Sequence, residues 1–351
     1  MRLAHSPWAL GAAWGGLIAD WNDARMAMTA LAAAPQPLDT EALDPRKFRD
    51  PDVTAKGAPR ATVALGELRT LWFNTGTLCN LTCAHCYIES SPTNDRLQYL
   101  TVAEVSDYLD QVAAGRHPVE EIGFTGGEPF MNPDIVELMA AALGRGHRGL
   151  VLTNAMRPMM KLATPLLALI ERHGARLTLR VSLDHYAKAW HEWERGRHTW
   201  EKTLPGLKWL SDTGVHLHVA GRTCWGEPEA ALRAGYARLF AAEGIRVDAH
   251  DRAQLVLLPE MDASVDVPEI TEACWELLGV DPRDMMCASS RMVIKRKGAA
   301  KPVLVPCTLL PYDRQFELGT TLAEALSPVK LNHPHCAKFC VLGGGSCSAG
   351  D

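Results

Sequence analysis

Cys79, Cys83 and Cys86 fall in one short stretch, NTGTLCNLTCAHCYIESSP (residues 74–92), at C-x3-C-x2-C spacing. Three thiols this close have three plausible uses. At i, i+4 and i+7 they could share one face of a helix and simply pack, since Cys behaves as a small buried hydrophobe. The local sequence opposes that: Asn74, Thr75, Gly76, Thr77, Asn80 and Thr82 make a poor helix. They could close on zinc, but zinc wants four ligands. His85, wedged between Cys83 and Cys86, is too close in the chain for an easy tetrahedron. Or they could hold a four-iron four-sulfur cubane, which takes one thiolate per iron. Three cysteines then leave one iron open to a small molecule.

A second stretch, FTGGEP (Phe124–Pro129), lies further along. Gly126 and Gly127 permit close backbone approach to a ligand, and Glu128 can accept from a cationic ammonium. Alone, such a stretch is an ordinary turn before a helix. Joined to the Cys triad, with the aromatic Tyr87 directly after Cys86, it resembles the radical S-adenosylmethionine (SAM) superfamily. The resemblance implies a cluster whose open iron takes the amino and carboxylate groups of SAM's methionine moiety. It implies reductive cleavage of the S–C5′ bond to a 5′-deoxyadenosyl radical, which abstracts hydrogen from a substrate that the sequence does not identify (peptide, protein or small metabolite). An electron donor such as flavodoxin or ferredoxin is the implied partner. By the same resemblance, Gly126, Gly127, Glu128 and Pro129 bind the SAM ammonium, Tyr87 contacts adenine through its backbone, Asn154 and Ser182 meet the ribose, and Arg222 meets the carboxylate. Thr153, Asp184 and Cys224 also sit at strand ends, where barrels place ligands. His185, Trp190 and Cys224 could face substrate, with packing the plainer reading. No residue is assigned to acid–base catalysis.

The elements that must position these groups alternate. ELRTLWFN, EIGFT, GLVLTN, ARLTLRVSLD, VHLHVAGR and RAQLVLL read as strands. Between them lie helices: one from Thr101 with a Thr101/Glu104 capping box, one with Asn132 as cap and Pro133 first, one closed by Gly174, one that Pro205 should kink, and EPEAALRAGYARLFAAEG. Strands alternating with helices imply parallel βα units. Six are too few for a closed eight-stranded barrel, so the expected fold is α/β: a partial (βα)6 TIM-type barrel with a Cys-rich C-terminal extension. Residues 1–66 read as a helix (1–34) and a Pro-rich arm, 67–259 as the barrel, and 260–351 as the extension.

That extension holds Cys274, Cys287, Cys307, Cys336, Cys340 and Cys347. A Cys-rich region with little periodicity of its own is usually held by metal. Its layout resembles the SPASM and twitch extensions of radical SAM enzymes, which implies an auxiliary iron–sulfur cluster (4Fe-4S). The expected ligands are Cys287, Cys307, Cys340 and Cys347, with Cys336 as substitute. Structural zinc is the alternative. Gly343, Gly344 and Gly345 could aim backbone amides at cluster sulfurs.

Composition sets the outer bounds. The 351 residues are 47% hydrophobic and 22% charged, ordinary for a globular chain with a real core. A net charge of −5 suggests no nucleic-acid surface. No apolar run approaches the roughly 20 residues of a membrane-spanning helix. SPWALGAAWGGLIAD near the start reads as a packing helix, and clustered thiols favour a reducing, cytoplasmic setting over disulfides. A non-catalytic iron–sulfur or zinc module for redox sensing is the competing reading, disfavoured by GGEP. Residues 1–66 show no strand triplet for peptide recognition, which argues against a maturase of ribosomal peptides.

Overall fold

The computed structural model describes residues 41–260 and 262–347. The helix expected over residues 1–34 lies outside them. An eight-stranded sheet runs in the order β7-β6-β5-β4-β3-β2-β8-β9. Its strands are β2 (Thr70–Asn74), β3 (Glu121–Thr125), β4 (Arg148–Thr153), β5 (Leu177–Ser182), β6 (His216–Arg222), β7 (Leu255–Leu258), β8 (Ser290–Ile294) and β9 (Val303–Val305). Strands β2 to β7 pair in parallel with their sequence neighbours, as the alternation predicts. A short ribbon joins β1 (Thr62–Val63) to β10 (Val329–Lys330).

The C-terminal region adds to this sheet. Strand β8 pairs in parallel with β2 on the side away from β3, and β9 follows antiparallel. The segment lacked a legible period because β8 (SRMVI) is buried at every position, and a strand covered on both faces does not alternate.

The helices are α1 (Val102–Gly115), α2 (Ile135–Gly144), α3 (Arg157–Lys161), α4 (Ala163–His173), α5 (Lys188–Arg195), α6 (Trp200–Thr213), α7 (Glu229–Glu243) and α8 (Cys274–Leu278). The Thr101/Glu104 capping box is formed, and Gly174 closes α4. Helix α2 begins later than expected, with Asp134 at the cap position. The reason is a 3-10 turn over Pro129–Met131, which Glu128 caps by accepting from the Phe130 amide. Asn132 accepts instead from the Asp134 amide at 2.9 Å. Helix α6 runs on through Pro205.

Each strand divides its residues between two faces. Leu71, Phe73, Ile122, Phe124, Val151, Leu179, Val181 and Val219 meet Val105, Leu109, Leu138, Leu169, Leu210 and Phe240 of the helices. Trp72, Leu150, Met292, Ile294 and Val305 face the other way. They form a second core with Cys287, Cys307, Leu310, Cys336, Phe339 and Cys347. The tail therefore fills part of the concave face of the sheet. Gly123 makes room there, since a Cβ on it would lie 2.2 Å from the Trp72 ring. The arm ahead of the barrel is strapped to the segment after β7. Arg60 and Lys47 pair with Glu269 and Asp266, each at 2.6 Å.

Candidate active site

At the C-terminal ends of β2 to β6 lies a cavity open to solvent, at the end of the strands where barrels place ligands. Cys79, Cys83 and Cys86 line one wall. They ride on the loop after β2, and three ties fix that loop. Asn74 accepts from the Gly76 amide at 3.0 Å. The Cys79 amide donates to the Ser91 carbonyl at 3.0 Å. Glu194, on α5, takes the His85 amide at 3.0 Å and the His85 ring at 2.8 Å. Two backbone amides already point at sulfur: Leu81 to Cys79 Sγ and Ser90 to Cys86 Sγ, each at 3.4 Å.

The two glycines of GGEP, besides lining the cavity, make room for the cysteine loop. A Cβ on Gly127 would lie 2.2 Å from the Leu78 carbonyl oxygen, and one on Gly126, at φ +140°, 2.4 Å from that of Gly76. The space they leave is taken by the cysteine loop itself. The Gly127 amide donates to the Gly76 carbonyl at 2.8 Å, and the Glu128 amide to that of Leu78 at 3.1 Å. The stretch is a clamp on the thiol loop, and its surface still lines the cavity.

Glu128 is 2% exposed. Its oxygens accept from the Thr153 hydroxyl and the Asn154 amide, both at 2.8 Å, and from the Phe130 amide at 3.2 Å. Burial pushes its carboxyl up to about 6 against the pull of those bonds. Asn154 spends its side chain on the Asn80 oxygen and the Met156 amide, at 2.9 and 3.1 Å. Arg222 lies between Glu194 and Glu260, at 2.9 and 2.8 Å. Arg195 pairs with Asp184. Burial would raise the Asp184 carboxyl, but the Arg195 guanidinium holds it below the usual range.

Of the cofactor-contact residues expected from sequence, Tyr87, Gly126, Gly127, Glu128, Asn154, Ser182 and Arg222 line this cavity. Pro129 stands behind it, in the 3-10 turn. His185 is held by Glu227 at 3.0 Å and stacks on Tyr186. Trp190 packs on Trp225. Sequence reasoning missed Glu194 and Arg195 because α5 was not anticipated. It also missed Arg180, which the alternation of β5 offered: Arg180 and Ser182 share one face.

In the tail, Cys287, Cys307, Cys336 and Cys340 line a small pocket with Met285, Met286, Pro306, Leu310, Val329 and Leu331. Cys336, the expected substitute, lines this pocket. Cys347 lines the larger cavity and lies near enough to Cys307 and Cys340 for its charge to bear on both. Cys336 and Cys340 lie on a single π-helical turn, Cys336–Val341, a feature frequent at functional sites. The Gly344 and Gly345 amides donate to the Cys340 and Phe339 carbonyls, at 3.0 and 2.8 Å. They are spent on that turn and are not aimed at sulfur.

Both thiol groups fit clusters better than single ions. Among the described residues no three Cys, His, Asp or Glu converge tightly enough for one metal ion. Zinc would need four thiolates at about 2.3 Å. A cubane spreads its ligands, one per iron. Burial pushes Cys79 to about 12, Cys83 and Cys287 to about 11, and Cys307 to about 12, so these thiols are neutral until metal displaces their protons.

Residues 73–224 match the Radical SAM superfamily profile. The antilisterial bacteriocin subtilosin biosynthesis protein AlbA of Bacillus subtilis is 32% identical over 268 residues, 72% of this chain and 57% of that protein. An AdoMet-dependent heme synthase of Nitratidesulfovibrio vulgaris is 30% identical over 142 residues, 40% of this chain and 36% of that protein. The chain thus spans little more than half of one such relative and about a third of the other. Streptococcus suis SuiB bound to precursor peptide SuiA shares the fold at TM-score 0.54 and 12% identity, over 89% of this chain and 76% of that one. No described helix is long and apolar enough to cross a membrane.

Proposed function

Because the chain belongs to the radical SAM superfamily, through the domain over residues 73–224, we propose that its main cavity binds SAM beside a four-iron four-sulfur cluster and cleaves it reductively. When bound, such a cluster supplies the electron that splits the S–C5′ bond of SAM, giving methionine and a 5′-deoxyadenosyl radical that takes hydrogen from the substrate. The observation that carries this reading is the single cavity lined by three closely spaced thiols and a buried carboxylate.

The chain's own residues do the positioning. Cys79, Cys83 and Cys86 would each hold one iron. Glu128, desolvated and aimed into the cavity, would receive the SAM ammonium. Ser182 and Asn154 would face the ribose, Tyr87 the adenine, and Arg222 the carboxylate. Arg195, held by Asp184, would add positive charge near the thiolates; the Cys83 thiol already feels it. The buried walls would keep water from the radical.

Cys287, Cys307, Cys336 and Cys340 would hold an auxiliary cluster, which could accept the product electron. The electron donor would be a flavodoxin or ferredoxin. For the substrate, a peptide is the better reading, supported by the long match to the bacteriocin biosynthesis protein. Anaerobic reconstitution followed by dithionite and SAM tests the central reaction. The expected products are 5′-deoxyadenosine and methionine, abolished by Cys83→Ala. Bound iron with no SAM cleavage would favour a redox-sensing module instead.

A further inference from the structure

Arg180, Arg195 and Arg222 all line the cavity. Arg195 and Arg222 have carboxylate partners. Arg180 is 3% exposed, and its Nη1 donates to the Cys347 carbonyl at 2.8 Å. Its Nε and Nη2 are buried and have no hydrogen-bond partner among the described residues. The Cys347 thiol, and more weakly Glu121 at the start of β3, act on it through space. Burying a guanidinium with donors unmet is costly, so a ligand that fills them explains the arrangement. Nε and Nη2 form one edge of the guanidinium, the side-on fork that fits both oxygens of a carboxylate.

The location narrows the ligand. Arg180 points to the face of β5 shared with Ser182, two residues deeper in the barrel. On the next strand its register partner is His218, whose Nδ1 is also buried without a partner. The pocket of Cys287, Cys307, Cys336 and Cys340 does not include Arg180; the Cys347 thiol bears on Arg180 by charge, yet Nε and Nη2 still have no hydrogen-bond partner among the described residues. Arg222 at the strand end is placed for the carboxylate of SAM. We infer that the Nε/Nη2 edge of Arg180 binds a carboxylate of the substrate at the floor of the cavity. The inference rests on the reading of that cavity as the SAM site, and it sets the substrate class: a molecule presenting a carboxylate, from an acidic side chain or a chain end.

Equilibrium dialysis on the reconstituted, SAM-loaded, unreduced protein tests it with three probes. N-acetylglutamate α-amide carries a side-chain carboxylate, N-acetylglutamine a chain-end carboxylate, and N-acetylglutamine α-amide neither. One of the two acids should bind at least about tenfold tighter than the neutral probe, as charge-assisted bidentate bonds require, and which one identifies the source. Arg180→Met should erase that preference, and Arg180→Lys should keep part of it. Iron content and SAM affinity should stay within about twofold of the parent in both. If the Met variant does not fold, Arg180→Gln against Arg180→Lys makes the same comparison. No preference in a parent protein that binds SAM, or a preference that survives in the Met or Gln variant, overturns the inference. Loss of iron in the variant would assign Arg180 to a cluster, and loss of SAM affinity to the SAM carboxylate; either also overturns it. A parent protein that binds no SAM overturns the reading of the cavity first, and the inference with it.

Discussion

At the scale of single residues, Glu128 carries the sharpest consequence. Its folded pKa of about 6 lies above the ordinary 4.5, so folding favours the protonated form, and the charged form costs about 2 kcal/mol above pH 6. A ligand ammonium would offset that cost. Thr153, Asn154 and Phe130 donate to the carboxylate, Arg195 lies near enough to be felt, and Cys79 feels the carboxylate in turn. SAM affinity should therefore be full above pH 6 and fall as the pH drops below it and Glu128 protonates. Equilibrium dialysis from pH 5 to 8 checks this, and a flat profile would remove the role. Glu128→Gln should weaken SAM about tenfold or more and abolish the pH effect. Both oxygens of Glu128 accept hydrogen bonds, so the new amide N–H₂ must also face a donor.

At the scale of elements, the glycines decide whether the thiol loop can form. Gly127 abuts a backbone carbonyl, which cannot swing aside as a flexible side-chain end can. Gly127→Ala should therefore separate β3's end from the cysteine loop, at roughly 1–3 kcal/mol of stability. Iron at the triad should fall while the tail's iron stays. Thermal unfolding and iron analysis together check it; an alanine variant with parental iron would mean that the clamp is not needed. Helix α5 has a comparable role, since Glu194 reaches both the cysteine loop and Arg222. Glu194→Ala should leave Arg222 short of one of its two carboxylate partners and lower SAM affinity before it lowers iron.

At the scale of the whole molecule, the tail and the barrel share one sheet and one inner core. Replacing Cys336 should remove as much iron as replacing Cys340, while Cys347→Ser should leave the iron count intact. Elemental analysis of the three variants decides this, and loss of iron with Cys347→Ser would restore the ligand set that the resemblance implies. Truncation after residue 259 would uncover Trp72 and Leu150 and remove β8 from the edge of β2. The barrel should then lose its cooperative unfolding and become protease-sensitive along with the tail. A truncated barrel as protease-resistant as the parent would show that it does not depend on its tail.

Sequence alone determined what is local. The C-x3-C-x2-C triad, the GGEP turn, the Thr101/Glu104 cap and the six parallel strands follow from spacing and period, which act within a few residues. Tertiary structure decided what depends on distant segments meeting. It placed the glycines of GGEP against Gly76 and Leu78, put Cys336 in the tail's pocket and Cys347 in the main cavity, and brought Glu194 and Arg195 to the thiols on an unforeseen helix. It also drew β8 into the barrel sheet. A pattern of hydrophobicity records which residues are buried, but not against what. The partner of a buried thiol or an unpaired guanidinium is fixed by packing across the sheet, where neighbours in space are far apart in the chain.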